Sequence, residues 1–338
     1  MITGMWLTLN RACNFRCPWC YAQNTEYEKN KTMSLDLAQQ LIKFAKLMDV
    51  KTILLIGGEP TYHPHIIEIL ELIKRQKIYT TIVTNGYRLH DKNFAKELKN
   101  LNHGALGFSI KAANREQHKE LTGTDTFEEI LEAMANIREA KLKVGYTTVI
   151  SRGTIDNLEE FAYMLKKHAP GKSLRYSLCN PAISNPGIIN RDYVVPAKEI
   201  TRKVAAKWGL LSEILECRVR LEQSLPQCVW PVGFIDMLKK KKQVSFGCHI
   251  MSRKGMIFDT EGKLLVCNSL TDYPIAEFGK TFDDKESFEK FWENEELKDL
   301  YKKFYEYPML KCETCDVYSE CGGGCPLKHF EKVNSKVK

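Results

Sequence analysis

MWLTLNRACNFRCPWC, residues 5–20, is the stretch from which the chain is best read. Met5–Asn10 is a short apolar strand, and Cys13, Cys17 and Cys20 follow in the loop directly after it. In a βα barrel, the loops at the C-terminal ends of the strands form the active-site face. Three thiolates this close together can hold three irons of a four-iron, four-sulfur cluster. The fourth iron then has no protein ligand and is open to a small molecule. A structural zinc site closes with four ligands at other spacings. The nearby Asn10, Asn14 and Asn24 are poor candidates for a fourth.

Beyond this loop, strands alternate with amphipathic helices. Helices are expected at 34–48, 64–76, 91–100, 126–140 and 155–168, with Ser34 as an N-cap. Strands are expected at 52–56, 79–84, 105–110, 143–150 and 173–179. Thr52–Ile56 is a continuous apolar run, as a strand buried on both faces should be, and Tyr79–Thr84 is rich in β-branched residues. Serial βα units imply a parallel sheet covered by helices, and right-handed crossovers curl it towards a barrel. The rhythm stops after Cys179. Residues 180–192 read as a loop and 196–224 as helical, while half of the cysteines lie from Cys248 onward. The expected fold class is α/β, a partial (βα)6 TIM-like barrel over 1–180. A helical bridge over 181–247 leads to a smaller cysteine-rich domain over 248–338.

Composition narrows the function classes. The 43% hydrophobic content suits a globular core, and no apolar run approaches the roughly 18 residues of a membrane span. Residues 1–10 lack a signal peptide's basic and apolar regions, so the expected location is cytoplasmic. The net charge of +8 is read as a lysine-rich solvated surface. Its one dense run, Lys239–Lys242, has no interleaved aromatics, so nucleic acid is not an expected partner. Twelve unevenly clustered cysteines without an export signal indicate metal ligation rather than disulfides.

The cysteine trio at x3 and x2 spacing, with the aromatic Trp19 before its last member, resembles the radical SAM (S-adenosylmethionine) superfamily. In that family SAM chelates the open iron through its amino and carboxylate groups. Electron transfer then cleaves SAM to methionine and a 5′-deoxyadenosyl radical, which abstracts hydrogen from an unactivated C–H bond. The second strand ends in Gly57-Gly58-Glu59-Pro60, where the family has its GGE motif contacting the SAM amino group. Thr84-Asn85-Gly86 ends the third strand and also matches the family pattern. Ser109 and Lys111 share one face of the fourth strand. The family often has an acidic residue where Lys111 stands, so Lys111 either pairs with the SAM carboxylate or is solvated. Thr147 and Thr148 are weaker candidates.

Towards the C-terminus come Cys248, a Gly262-x4-Cys267 segment, and Cys312-x2-Cys315-x5-Cys321-x3-Cys325. This order resembles the SPASM domain, which carries auxiliary iron–sulfur clusters in peptide-modifying enzymes. A treble-clef zinc site is the alternative. The resemblance puts Cys248, Cys267 and Cys325 on a proximal auxiliary cluster and Cys312, Cys315 and Cys321 on a distal one. The family's final cysteine is missing after Cys325. Either Cys217, Cys228 or His329 replaces it, or only one auxiliary cluster forms. Cys179 ends the sixth strand and is a candidate hydrogen donor or cluster ligand. A small buried hydrophobe is the ordinary role for it, as for Cys217 and Cys228.

The resemblance implies a ribosomal peptide or protein substrate, with crosslinking, epimerisation or side-chain oxidation as the reaction. Sulfatase maturases share the architecture, but their motif has an acidic residue where Asn268 stands here. With the first strand at residue 5 there is no room for an N-terminal peptide-binding winged helix, so leader recognition would need either a separate leader-binding protein or the barrel surface; a reductant such as ferredoxin or flavodoxin is a further expected partner. A small-molecule substrate, such as a sugar or cofactor precursor, is the alternative. An iron–sulfur electron carrier is a third reading, opposed by the residues expected at a SAM site.

Overall fold

The computed structural model describes residues 2–22, 31–101, 104–184, 187–304 and 310–329. Strands β1 (Gly4–Thr8), β2 (Thr52–Ile56), β3 (Tyr79–Thr84), β4 (Gly104–Ile110), β5 (Val144–Ile150) and β6 (Leu174–Leu178) lie side by side and parallel. Each expected strand is found, with ends shifted by no more than two residues. A two-stranded ribbon, β7 (Ile183–Ser184) with β8 (Gly187–Ile188), stands apart. Five more strands join the main sheet: β9 (Val219–Gln223), β10 (Val244–Phe246), β11 (Gly255–Phe258), β12 (Lys263–Leu265) and β13 (Pro274–Glu277). The sheet order is β10-β9-β6-β5-β4-β3-β2-β1-β11-β12-β13. Only β12 and β13 run antiparallel to their neighbours.

The sheet therefore crosses both expected domain boundaries. β9 and β10 come from the stretch read as a helical bridge, and β11 pairs in parallel with β1 from across the sequence. The helix expected over 196–224 stops at Ile214. Val219, Leu221 and Gln223 are buried while Arg220 is exposed, the alternation of a strand.

Helices α1 (Leu35–Leu47), α2 (Ile66–Arg75), α3 (Lys92–Leu101), α4 (Arg115–Thr122), α5 (Phe127–Glu139), α6 (Leu158–His168), α7 (Ala197–Ile214) and α8 (Phe234–Lys240) supply the crossovers. The Ser34 hydroxyl accepts from Leu37 N at 3.1 Å, the expected cap of α1. α4 was not expected. Asn114 caps its start, and Gly123 ends it at a φ of 73°. One face of the sheet is buried: Leu106, Phe108 and Ile110 of β4 and Tyr146 and Ile150 of β5 share a single core with the helix residues Ile130, Met134 and Leu158. The Tyr176 hydroxyl reaches Leu158 O of α6 at 2.5 Å on this side.

The other face is open. Tyr79 and Val83 are exposed there, and Gly107, Ser109, Gly145, Thr147, Arg175, Ser177, Arg220 and Glu222 are not buried. Register aligns Ser109 with Thr147, Thr147 with Arg175, and Arg175 with Arg220. A Cβ placed on Gly145 would meet nothing within 4 Å. Phe44 on α1 meets Phe278, Phe282 and Phe288 with ring centroids 5.4, 5.8 and 5.6 Å away, docking the C-terminal segment onto the barrel. Among the described residues no helix is long and apolar enough to cross a membrane.

Candidate active site

The loop after β1 carries Cys13, Cys17 and Cys20 at the C-terminal end of the strands. Their thiols are close enough to act on one another electrostatically. Phe15 N and Ala22 N donate to the sulfurs of Cys13 and Cys20, each at 3.4 Å, and Cys20 N donates to Cys17 O at 3.0 Å. Backbone N–H groups aimed at the sulfurs are what a thiolate-held cluster uses to tune its potential. Burial pushes the Cys13 thiol up to about 11 and that of Cys17 to about 12. Ligation therefore has to displace protons.

The strand ends clamp this loop. Gly58 N donates to Asn10 O and Glu59 N to Ala12 O, both at 2.8 Å. A Cβ on Gly58 would lie 2.3 Å from Ala12 O, so only glycine lets the two backbones meet. Glu59 is fully buried. Its Oε1 accepts from Thr61 N at 3.1 Å and from the hydroxyls of Thr61 and Thr84 at 2.7 Å; its Oε2 accepts from Asn85 N at 2.7 Å. Burial raises the Glu59 carboxyl above its ordinary value, against the pull of these donors. Pro60 is buried and begins the turn Pro60–Tyr62. Asn85 Nδ2 reaches the loop again, donating to Asn14 Oδ1 at 2.8 Å. Beside Gly57, Asn10 Oδ1 is buried with no hydrogen-bond partner among the described residues, an acceptor that an ammonium group can satisfy.

On the open face Lys111 Nζ donates to Ser109 Oγ at 2.7 Å, and its charge acts on both Cys13 and Cys17. That places a cation beside the trio. Thr147 shares this face, whereas Thr148 is buried on the other side. The residues fit a four-iron cluster bound at three corners with SAM beside it: three loop thiols, an unsatisfied acceptor at the strand ends and a cation across from them.

Cys248, Cys267 and Cys325 form a second group whose thiols act on one another; burial pushes those of Cys267 and Cys325 up to about 11 and 12. Tyr21 is an electrostatic neighbour of Cys13, Cys20 and Cys267, so it lies between the two groups. Cys312, Cys315 and Cys321 line a separate small cavity. Cys179 is 5% exposed, and burial pushes its thiol up to about 12. Lys328 sits between Cys179 and Cys325, and its ammonium donates to Cys179 O at 3.2 Å. Among the described residues no three His, Cys, Asp or Glu side chains converge on a single-ion position.

Sequence reading missed several residues that hold this site. Asn190 Nδ2 donates to Trp19 O at 3.2 Å and to Asn180 O at 3.0 Å, and Trp19 lies against Tyr193. Arg16 N donates at 2.8 Å to Thr122 O at the end of α4. None of these has a local sequence signature.

A partial barrel with a three-thiol loop at its mouth defines a radical SAM domain. Residues 7–167, just under half of the chain, match the Radical SAM superfamily, a family that requires a four-iron cluster and SAM, and a cysteine-rich C-terminal region follows. Among curated relatives, a "Probable GTP 3',8-cyclase" of Thermococcus kodakarensis is 28% identical over 165 residues, 48% of this chain and 53% of that protein. The chain thus spans about half the length of that relative. One of the same name from Saccharolobus islandicus is 24% identical over 77% of this chain and 81% of its own. Among solved structures, native anSMEcpe with bound AdoMet and Cp18Cys peptide superposes with a TM-score of 0.72 at 16% identity, covering 99% of this chain and 96% of that one. Streptococcus suis SuiB bound to S-adenosylmethionine gives 0.69 at 15% identity, covering 100% and 75%.

Proposed function

We propose that this radical SAM enzyme abstracts hydrogen from a ribosomal peptide or protein, giving a crosslink, an epimerised α-carbon or an oxidised side chain. The observation that carries this reading is the second cysteine-bearing layer, folded onto the barrel mouth above an open inner face. The same overall fold in anSMEcpe accommodates a peptide. The cluster with SAM supplies one-electron cleavage to a carbon-centred radical. The chain's own residues bind and orient. Cys13, Cys17 and Cys20 hold the cluster. Asn10, Gly57, Gly58, Glu59 and Pro60 shape the SAM amino end together with Thr84 and Asn85, while Lys111 and Ser109 face its carboxylate. Cys248, Cys267, Cys312, Cys315, Cys321 and Cys325 hold auxiliary clusters. Cys179, whose buried thiol stays neutral at ordinary pH, is the candidate hydrogen donor. A cytoplasmic reductant such as ferredoxin or flavodoxin delivers the electron, and a separate leader-binding protein can present the peptide.

One observation favours a second reading, a small anionic substrate. Arg175 and Arg220 stand side by side on the inner face in line with Lys111's strand, and curated relatives are named as acting on a nucleotide. An anaerobic assay with SAM and dithionite separates the two. Peptides encoded by short reading frames beside the gene, and GTP in parallel, are followed by mass spectrometry. The peptide reading predicts that a peptide raises deoxyadenosine formation and loses a pair of hydrogens or exchanges an α-hydrogen, while GTP is left intact. GTP consumption with unchanged peptides would overturn it.

A further inference from the structure

We propose that Cys228 supplies the fourth thiolate of the distal auxiliary site, completing a set with Cys312, Cys315 and Cys321. This rests on reading the C-terminal cysteines as cluster ligands. Residues 326–338 carry no cysteine, so a fourth thiol for the distal trio is sought elsewhere in the fold. Space supplies one. Cys228 lines the same small cavity as Cys312, Cys315 and Cys321, together with Pro226 and Tyr318.

That juxtaposition is built in by backbone contacts. Cys325 N donates to Ser224 O at 2.8 Å, and Gln227 N donates to the Cys321 sulfur at 3.3 Å, the N–H to sulfur contact a ligating thiolate receives. At Gly324 the chains are so close that a Cβ would lie 2.8 Å from Ser224 O, and its φ of +83° is one that side chains rarely adopt. Lys239 Nζ spans the join, donating to Gln227 Oε1 at 3.1 Å and Glu320 Oε2 at 2.9 Å.

The other candidates lie elsewhere. Cys217 precedes β9 and Cys228 follows it, which puts them at opposite ends of a five-residue strand about 16 Å long. Cys217 therefore belongs to the face away from the thiols. His329 lines a different cavity, with Pro181, Ile188 and Arg191, and its Nε2 lies 3.3 Å from Gly323 O.

The test uses full-length protein, reconstituted anaerobically, with Cys13, Cys17 and Cys20 changed to Ala so that only auxiliary iron remains. In that background Cys228→Ala should lower iron by up to about four per chain, or leave a three-iron cluster visible by EPR in the oxidised state. Cys217→Ala should change neither reading, and unchanged circular dichroism in both variants excludes misfolding. Full iron with unchanged spectra in Cys228→Ala would overturn the ligand assignment alone. No iron in the starting background, or one bound zinc in its place, would overturn the auxiliary-cluster reading itself.

Discussion

Glu59 shows how far a single residue can be read from sequence. Its place in Gly57-Gly58-Glu59-Pro60 marks the end of β2, but the motif does not reveal that the carboxylate is buried and takes four donors. In Glu59→Gln the amide group turned towards Asn85 N sets donor against donor. The expected cost is about 1–3 kcal/mol. Urea unfolding of the anaerobic protein measures it, and an unchanged midpoint would contradict the role assigned to this side chain. The cysteines were legible because their chemistry is written in their spacing. Asn10, Asn190 and Thr122 were not, because an asparagine or a carbonyl acquires its role only from the chain folded against it.

At the scale of elements, β1 to β6 were visible from apolar runs punctuated by turns. α4 was not. Of its eight residues only His118, Leu121 and Thr122 are buried, too short a stripe to stand out. β9 shows period-two burial over five residues, which the preceding 18-residue helix obscured. The pairing of β11 with β1 leaves no local trace at all. Two glycines test what the elements do. Gly58→Ala should cost about 2–4 kcal/mol and empty the three-thiol loop, because the new methyl meets the Ala12 carbonyl. Gly145→Ala points into open space and should leave the fold unchanged or gain about 0.4–1 kcal/mol. If the open face is the substrate site, Gly145→Ala keeps SAM cleavage yet lowers product formed per deoxyadenosine. Equal coupling in wild type and variant would place the substrate elsewhere.

At the scale of the molecule, one mostly parallel sheet joins the thiol loop after β1 to the cysteine-rich segment that begins beside β11. β11 lies against β1 itself, so the two cysteine groups meet across Tyr21 rather than on separate bodies. The basic run Lys239–Lys242 takes its meaning at this scale too: Lys239 fastens the C-terminal segment to α8. The resemblance read from two motifs thus extends to an architecture, while the substrate remains written only in the shape and charge of the open inner face.

The most direct test of the central claim is 5′-deoxyadenosine formation from SAM under dithionite in anaerobically reconstituted protein, beside the Cys13→Ala, Cys17→Ala, Cys20→Ala variant. Deoxyadenosine is expected from the native protein alone, with more iron bound than one four-iron cluster holds. Equal deoxyadenosine from both, or none from fully loaded native protein supplied with its substrate, would contradict it.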